Sequence, residues 1–468
     1  MKRILCTILI GFFVISCFGT HGIPLKNIKV SSNSNEYDMV IIAPYIFSDE
    51  LQPLIDHKNE YGIRTVLKTT NIIYDEYDGR DEAEQIKYCI KDMIETHTIE
   101  YVLLVGGRIG QSFQWHIPPR YSNVDDGFMH KKFLSDLYFS DIYDEQMDFE
   151  DWDSNENNIL SEWYVDESET RDIMDLKPDV ALGRLPCRNE QDVEIVVDKI
   201  IEYETTSYEQ SWLKNALLIG GDTNPGFGDP FPLEGETDCN YTAQLLKNYS
   251  ITKLFVSDGT LNGYDDVISE INNGHGFLLF HGHGLQNGLF THTQHGEQIP
   301  IFHTNNISEL SNTGMYPIMV VGCCLTTEFD VGIYNFLQIF KNLKQHHHFQ
   351  TWKYECVSEV LGWNLIKKEN AGMIAYIGDS STAWGANGDA DNDGIPDSIR
   401  DGLTTGLCAE FFRIIGDGTI DTLGRVYKET LTIVIETYTG SEQRLHCKNV
   451  QEFQLIGDPS LKIGGYPN

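Results

Sequence analysis

Short, uninterrupted apolar runs recur along the chain, each ending at glycine, proline or a reactive polar residue. They include Met39 to Ala43, Tyr101 to Val105, Ala216 to Ile219, Phe277 to Phe280 and Ile318 to Val321. A strand apolar at every position is buried on both faces, as in a parallel sheet held between helices. The stretches between supply the helices: Leu51, Leu54 and Ile55 up to the Tyr61-Gly62 stop, residues 83–96 and residues 190–205 all carry helical spacing. The expected fold is α/β, with two parallel-sheet lobes covered by helices. An N-terminal α/β subdomain is expected over 38–209, with an acidic insertion between Asp136 and Asp175. A second is expected over 210–466, adding strands at 253–256, 373–377 and 453–456. In such sheets, function gathers at the carboxyl ends of the strands.

Charge narrows the function. With 34 Lys and Arg against 70 Asp and Glu, the net charge is −36, which repels nucleic-acid backbones and anionic lipid headgroups. Lys2-Arg3 followed by the apolar run Ile4 to Ile15 reads as a signal peptide over residues 1–22, with 23–37 a linker or short pro-segment. Val14-Ile15-Ser16-Cys17 also matches a lipobox, which would retain Cys17 as a lipidated residue. No other run approaches the ~18 apolar residues of a membrane span. The expectation is a secreted or envelope-held monomer with no membrane span after signal removal. Two of the 10 cysteines lie in the signal segment, and the rest show no disulfide-scaffold or paired zinc spacing.

Two strands of the second half end in reactive residues. Phe277 to Phe280 runs into His281-Gly282-His283-Gly284, and Ile318 to Gly322 runs into Cys323-Cys324. Neighbouring parallel strands place these ends side by side. An imidazole that accepts the thiol proton and returns it to a leaving group turns a Cys–His pair into an acyl-transfer site, with glycine amides free to approach an oxyanion. The bland alternative is a packed thiol and a turn histidine, since cysteine is among the most buried residue types.

The block from Gly276 to Gly284 with Pro317 to Phe329 resembles the gingipain-type cysteine peptidases, family C25 of the caspase-like clan. In that family one strand ends in Gly-His-Gly, and a second begins at Pro and reaches the nucleophile seven positions later. Tyr101 to Gly106, Leu182 to Leu185, Trp212-Leu213, Cys356 to Leu361 and Ile456 to Leu461 fall in family order, so the resemblance covers most of 38–465. It implies a caspase-like second lobe and a cysteine endopeptidase acting on proteins or peptides. Cys324 would be the nucleophile and His283 the general acid/base, with Gly284 and Cys324 amides as oxyanion donors and Asp222 near the position of a third catalytic residue. Cys323 departs from the Ala or Asp usual before the nucleophile. Members that cleave after Arg place an acid beneath the P1 side chain and a Trp along it, which implies Asp238, Trp384 and Gly322 as substrate-binding residues and Arg, before Lys, at P1.

Two segments carry calcium-loop spacing. Asp389, Asp391, Asp393, Ile395 and Asp397 repeat donor positions every second residue with Gly394 at the turn, although Arg400 stands where a bidentate Glu would close the loop. Asp153, Asn155, Asn157 and Glu162 follow a weaker version with Asn158 in place of Gly. A structural Ca2+ and no organic cofactor are expected, while His346-His347-His348 reads as a solvated loop rather than a zinc site. The competing function is a catalytically inactive, calcium-dependent module that binds peptide or matrix.

Overall fold

The computed structural model describes residues 36–467 apart from 128–131, 165–170, 227–231, 333–356, 387, 389–394, 402 and 438–442. The apolar runs become β1 (Met39–Ala43), β2 (Thr65–Thr69), β3 (Tyr101–Val105), β4 (Ala181–Leu185), β5 (Asn215–Gly220), β6 (Ser250–Phe255), β7 (Phe277–His281), β8 (Ile318–Gly322), β9 (Ala375–Asp379) and β10 (Phe453–Ile456). These ten form one sheet in the order β2-β1-β3-β4-β10-β9-β8-β7-β5-β6. β1, β3, β4, β7, β9 and β10 are buried at every residue, which is why they read as continuous apolar runs.

Helices cover the sheet: α1 (Ser48–Glu60), α2 (Glu82–His97), α3 (Glu190–Thr206), α4 (Glu234–Leu245), α5 (Tyr264–Asn273), α6 (Thr404–Asp417), α7 (Leu423–Thr437) and α8 (Gln443–Glu452). Their starts are written locally. The Asp81 side chain accepts from Glu84 N and the Asn189 side chain from Asp192 N, each satisfying an orphan amide of the first turn. No helix among the described residues is long and apolar enough to cross a membrane.

The two expected lobes are halves of this single sheet. β10, from the far end of the chain, lies between them, antiparallel to β9 and parallel to β4 at Ile456–Arg184. All other neighbours are parallel, so the strands of the first half run opposite to those of the second. The carboxyl ends of β7 and β8 therefore face away from those of β1, β3 and β4. A subdomain boundary placed near residue 209 falls between α3 and β5, but chain order alone does not reveal a strand returning from residues 453–456.

Buried charges tie the halves together. Lys58 on α1 is fully buried, with Nζ 2.8 Å from Glu204 of α3 and 2.7 Å from Asp458 in the turn after β10. His57 Nε2 lies 2.8 Å from the same Glu204 carboxylate, which also accepts from Lys462 N at 2.7 Å. Arg184 of β4 holds Asp136 through two bonds of 2.6 and 2.8 Å, with its guanidinium 4.9 Å from the Phe329 ring. The first half thus grips the loop that leaves β8.

A buried charge pair contributes little net stability, yet removing one member leaves the other charge uncompensated. Lys58→Met strands both Glu204 and Asp458, so it is expected to lower the unfolding free energy by about 3–5 kcal/mol. Urea denaturation at neutral pH measures this; a loss below about 1 kcal/mol would remove Lys58 from the framework.

Candidate active site

β7 and β8 pair in register with His281 opposite Gly322, so the chain leaves both strands at the same edge. Past His281, residues His283–Leu285 begin a three-stranded antiparallel sheet with Gly288–His292 and Gln298–His303. Gly284 brings that sheet against the Cys323-Cys324 segment. A Cβ added there would lie 2.3 Å from the Cys324 carbonyl oxygen and 2.8 Å from Cys323 Sγ, so the close approach needs glycine. The structure therefore brings the backbone beside His283 into contact with the Cys323-Cys324 step.

The His283 ring is fixed on three sides. Nε2 lies 2.5 Å from the Thr223 carbonyl, the ring stacks on Phe290 at 5.0 Å, and it meets His292 edge-on at 5.4 Å. A carbonyl only accepts, so Nε2 carries the proton and Nδ1 keeps the lone pair of a base. Burial lowers the ring's proton affinity, with the Thr223 carbonyl opposing that shift. His281 differs. It is 2% exposed, neither ring nitrogen has a hydrogen-bond partner, and burial pushes it down to about 3. Its Nδ1 would lie 2.5 Å from a Cβ on Gly322, so the ring packs against the sheet end.

Of the two thiols, Cys323 is buried and Cys324 is half-buried. The Cys324 sulfur lies 3.9 Å from the Ala383 carbonyl. Burial pushes this thiol up to about 12; the Ala383 contact and Lys448 pull the other way, while Glu452 and Asp379 add to the rise. The site at rest holds a protonated thiol and a neutral imidazole. All the described cysteines are free.

The placement of the third expected residue differs. The hydrogen-bond partner of His283 is the Thr223 carbonyl, and the Asp222 carboxylate is used elsewhere, accepting from Asn224 N at 3.1 Å and Leu233 N at 3.4 Å. The Asp222 main chain pairs in both directions with His292, at 2.9 and 3.0 Å. Asp222 therefore shapes the turn that presents Thr223 and acts on His283 at one remove. A main-chain carbonyl has no letter in the sequence, which is why the orienting group was not found there.

Asp238 is buried on α4, whose first turn is admitted to the ends of β5 and β7 by glycines. A Cβ on Gly220 would meet Gly235 O at 2.5 Å, and one on Gly235 would meet His281 O at 2.8 Å. Asp238 accepts from Ser398 Oγ at 2.5 Å, and burial pushes it up to about 7, with Glu234 adding to the rise. Trp384 is half-buried, with its indole nitrogen 3.5 Å from Asp126 Oδ2, and Gly322 is half-buried at the end of β8.

In the first calcium segment, Asp389, Asp391 and Asp393 lie outside the described residues, as do Cys17, the proposed signal peptide, Cys356 and His346-His347-His348. Ile395 and Asp397 are described, and Asp397 N donates to Gly388 O. The second segment is a closed loop. The amides of Asn155 and Asn157 both reach Glu162 Oε2, Asp153 Oδ1 accepts from Asn157 N, and Asp153 Oδ2 lies 2.7 Å from Arg80. The four side chains thus gather, but the Asn155 and Asn157 nitrogens take the Glu162 oxygen and a guanidinium takes that of Asp153. Among the described residues, no three acidic, histidine or cysteine side chains are grouped to hold a metal.

A half-buried cysteine and a histidine held by a main-chain carbonyl thus follow adjacent strands of one helix-covered sheet. The model of peptidase family C25 matches residues 32–464, and the chain belongs to that family. Gingipain R2 of Porphyromonas gingivalis is 23% identical over 297 residues, 62% of this chain and 32% of that protein. A Lys-gingipain of the same species is 23% identical over 215 residues, 45% of this chain and 10% of that one. The chain thus spans a third or less of the length of these curated relatives. The crystal structure of the Arg-specific cysteine proteinase gingipain R matches with a TM-score of 0.61 at 18% identity, covering 93% of this chain and 79% of that one.

His281 supplies a test of the division of labour between the histidines. A group whose folded proton affinity is depressed gives stability that is present above its unfolded value and is lost as pH falls. For His281 that loss runs from about 6.5 down to about 3. His281→Leu also removes a buried, unpartnered polar group, a cost of about 1–3 kcal/mol. The variant is expected to unfold at lower pH than the parent in an acid titration followed by circular dichroism. An unchanged or raised acid midpoint would assign the ring a polar partner.

Proposed function

We propose that the chain is a cysteine endopeptidase in which Cys324 attacks the scissile carbonyl and His283 moves the proton. The observation that carries the reading is the His283 ring held by Thr223 with Nδ1 as its free base, while Gly284 abuts the Cys323-Cys324 backbone. With both partners neutral at rest, the thiol proton passes to Nδ1 as sulfur bonds to the carbonyl carbon. The amides of Gly284 and Cys324 receive the oxyanion. The imidazolium then protonates the leaving amine, and water releases the acyl group from sulfur with His283 again as base.

Asp238, Trp384 and Gly322 form the P1 site in this reading, favouring Arg and then Lys. A buried carboxylate rewards a desolvated guanidinium with two charge-assisted bonds. Because burial holds Asp238 up to about 7, the acid is neutral below that pH and ionised above it. The KM for Arg substrates is therefore expected to fall as pH rises through about 7, and to lose that dependence in Asp238→Asn. The same substitution is expected to cost about 2–5 kcal/mol in kcat/KM for Arg peptides. A flat KM profile in the parent would take Asp238 out of the pocket.

Secretion or envelope attachment and a structural Ca2+ belong to the same proposal. The segment at 389–397 would hold the ion through its carboxylate oxygens, whereas the 153–162 loop already commits its acids to Arg80 and to the Asn155 and Asn157 amides. The decisive experiment uses fluorogenic peptides with Arg, Lys, Asn or Asp at P1, in reductant, with calcium and after chelation. Arg-selective cleavage is expected, abolished in Cys324→Ala, retained in Cys323→Ala and weakened together with the thermal midpoint by chelation. Loss in Cys323→Ala alone would move the nucleophile by one residue. No cleavage by folded, calcium-loaded protein would assign the chain to the inactive peptide- or matrix-binding class.

A further inference from the structure

The main chain after β9 is a strip whose carbonyls are committed in turn to different neighbours. Asp379 O accepts from Thr327 N at 3.2 Å and Ser381 O from Leu325 N at 2.9 Å, which ties the strip to the residues just past Cys324. Thr382 O accepts from Lys448 Nζ at 2.6 Å. Ala383 O faces the Cys324 sulfur at 3.9 Å. Trp384 O accepts from Asn449 Nδ2 at 2.9 Å and Thr404 N at 3.2 Å. The strip therefore lies between the thiol and two adjacent residues of α8.

Lys448 is 0% exposed. Its ammonium also bonds the Glu452 carboxylate one helical turn on, and it lies 3.8 Å from Asp126 Oδ2, the oxygen facing the Trp384 indole nitrogen. The charged groups that act on the Cys324 thiol are Asp379 at the end of β9 and Glu452 and Lys448 on α8. Lys448 is the cation among them. One side chain thus holds the main chain beside the sulfur, reaches the acid that faces Trp384, and offsets the carboxylates that oppose a thiolate.

We propose that Lys448 is a positioning residue of the peptidase site, fixing residues 382–384 against Cys324. The proposal rests on the reading of Cys324 as nucleophile, but its main test needs no substrate. The test follows iodoacetamide alkylation of Cys324 by intact mass across pH, with Cys324→Ala subtracting the other thiols.

Lys448→Met is expected to displace the alkylation profile upward by about one pH unit, and Lys448→Arg, which keeps the charge, by less. In peptide cleavage, Lys448→Met should lower kcat by about tenfold or more with a smaller change in KM. Because a lone Glu452 could unfold the single variant, Lys448→Met with Glu452→Gln is the control. It should restore the thermal midpoint but leave kcat low, since the Thr382 carbonyl stays unheld. An alkylation profile in folded Lys448→Met that superimposes on the parent's overturns the proposal, as does recovery of kcat with stability in the double variant. A displaced profile in a protein whose parent cleaves no peptide supports the Lys448 assignment and rejects the peptidase reading instead.

Discussion

The placement of β10 governs the rest of the molecule. A strand from residues 453–456 fills the centre of a sheet whose other strands come from residues 39–379. Until it is in place, β4 and β9 each expose an edge, and an unpaired interior edge carries unsatisfied amides and carbonyls. The same insertion reverses strand direction between the halves and sends the turn at Asp458 onto Lys58. Immediately before β10 comes α8, with Lys448 and Asn449 on the strip beside Cys324. The sheet and the strip beside Cys324 therefore share contacts far apart in sequence, a class of contact that forms slowly.

A chain with net charge −36 buries its cations with care. Lys58 lies between two carboxylates, and Arg184 holds Asp136 in two bonds. Lys199 is held by main-chain carbonyls instead. Its ammonium reaches the carbonyls of Ile366, Lys368, Ala371 and Met373, and burial pushes it down to about 7. Acids respond in the opposite sense, with Asp238 and Glu452 both raised to about 7 by burial. Burial thus moves acids and bases in opposite directions, each toward its neutral form.

Much of this was legible in the sequence, for identifiable reasons. Strands buried on both faces announce themselves as apolar runs, and a reactive residue immediately after such a run has its location fixed by the sheet. That is why the His281–Gly284 and Cys323-Cys324 segments could be placed together. Choosing within each pair required more. Cys323 and Cys324 differ in exposure, and His281 and His283 differ in what their nitrogens meet, neither of which is a property of the letters. The Thr223 carbonyl was invisible because every residue has one. Lys448 belongs to no motif, and only the return of β10 brings it to the strip beside Cys324. The two expected lobes are joined in one sheet because β10, far from β4 in sequence, pairs with it.

The strip from Asp379 to Trp384 has a further consequence for how the site can respond to a ligand. With Asp379 and Ser381 bonded to the nucleophile loop and Thr382 and Trp384 bonded to α8 or the start of α6, this wall has little slack in which to shift. The facing side is held as firmly. The three-stranded sheet that begins at His283 meets the thiol segment through Gly284, where a side chain has no room, and is anchored laterally at Asp222 and Thr223. Sulfur and imidazole are thus held from opposite sides by main-chain contacts, and their relative placement is built into the fold.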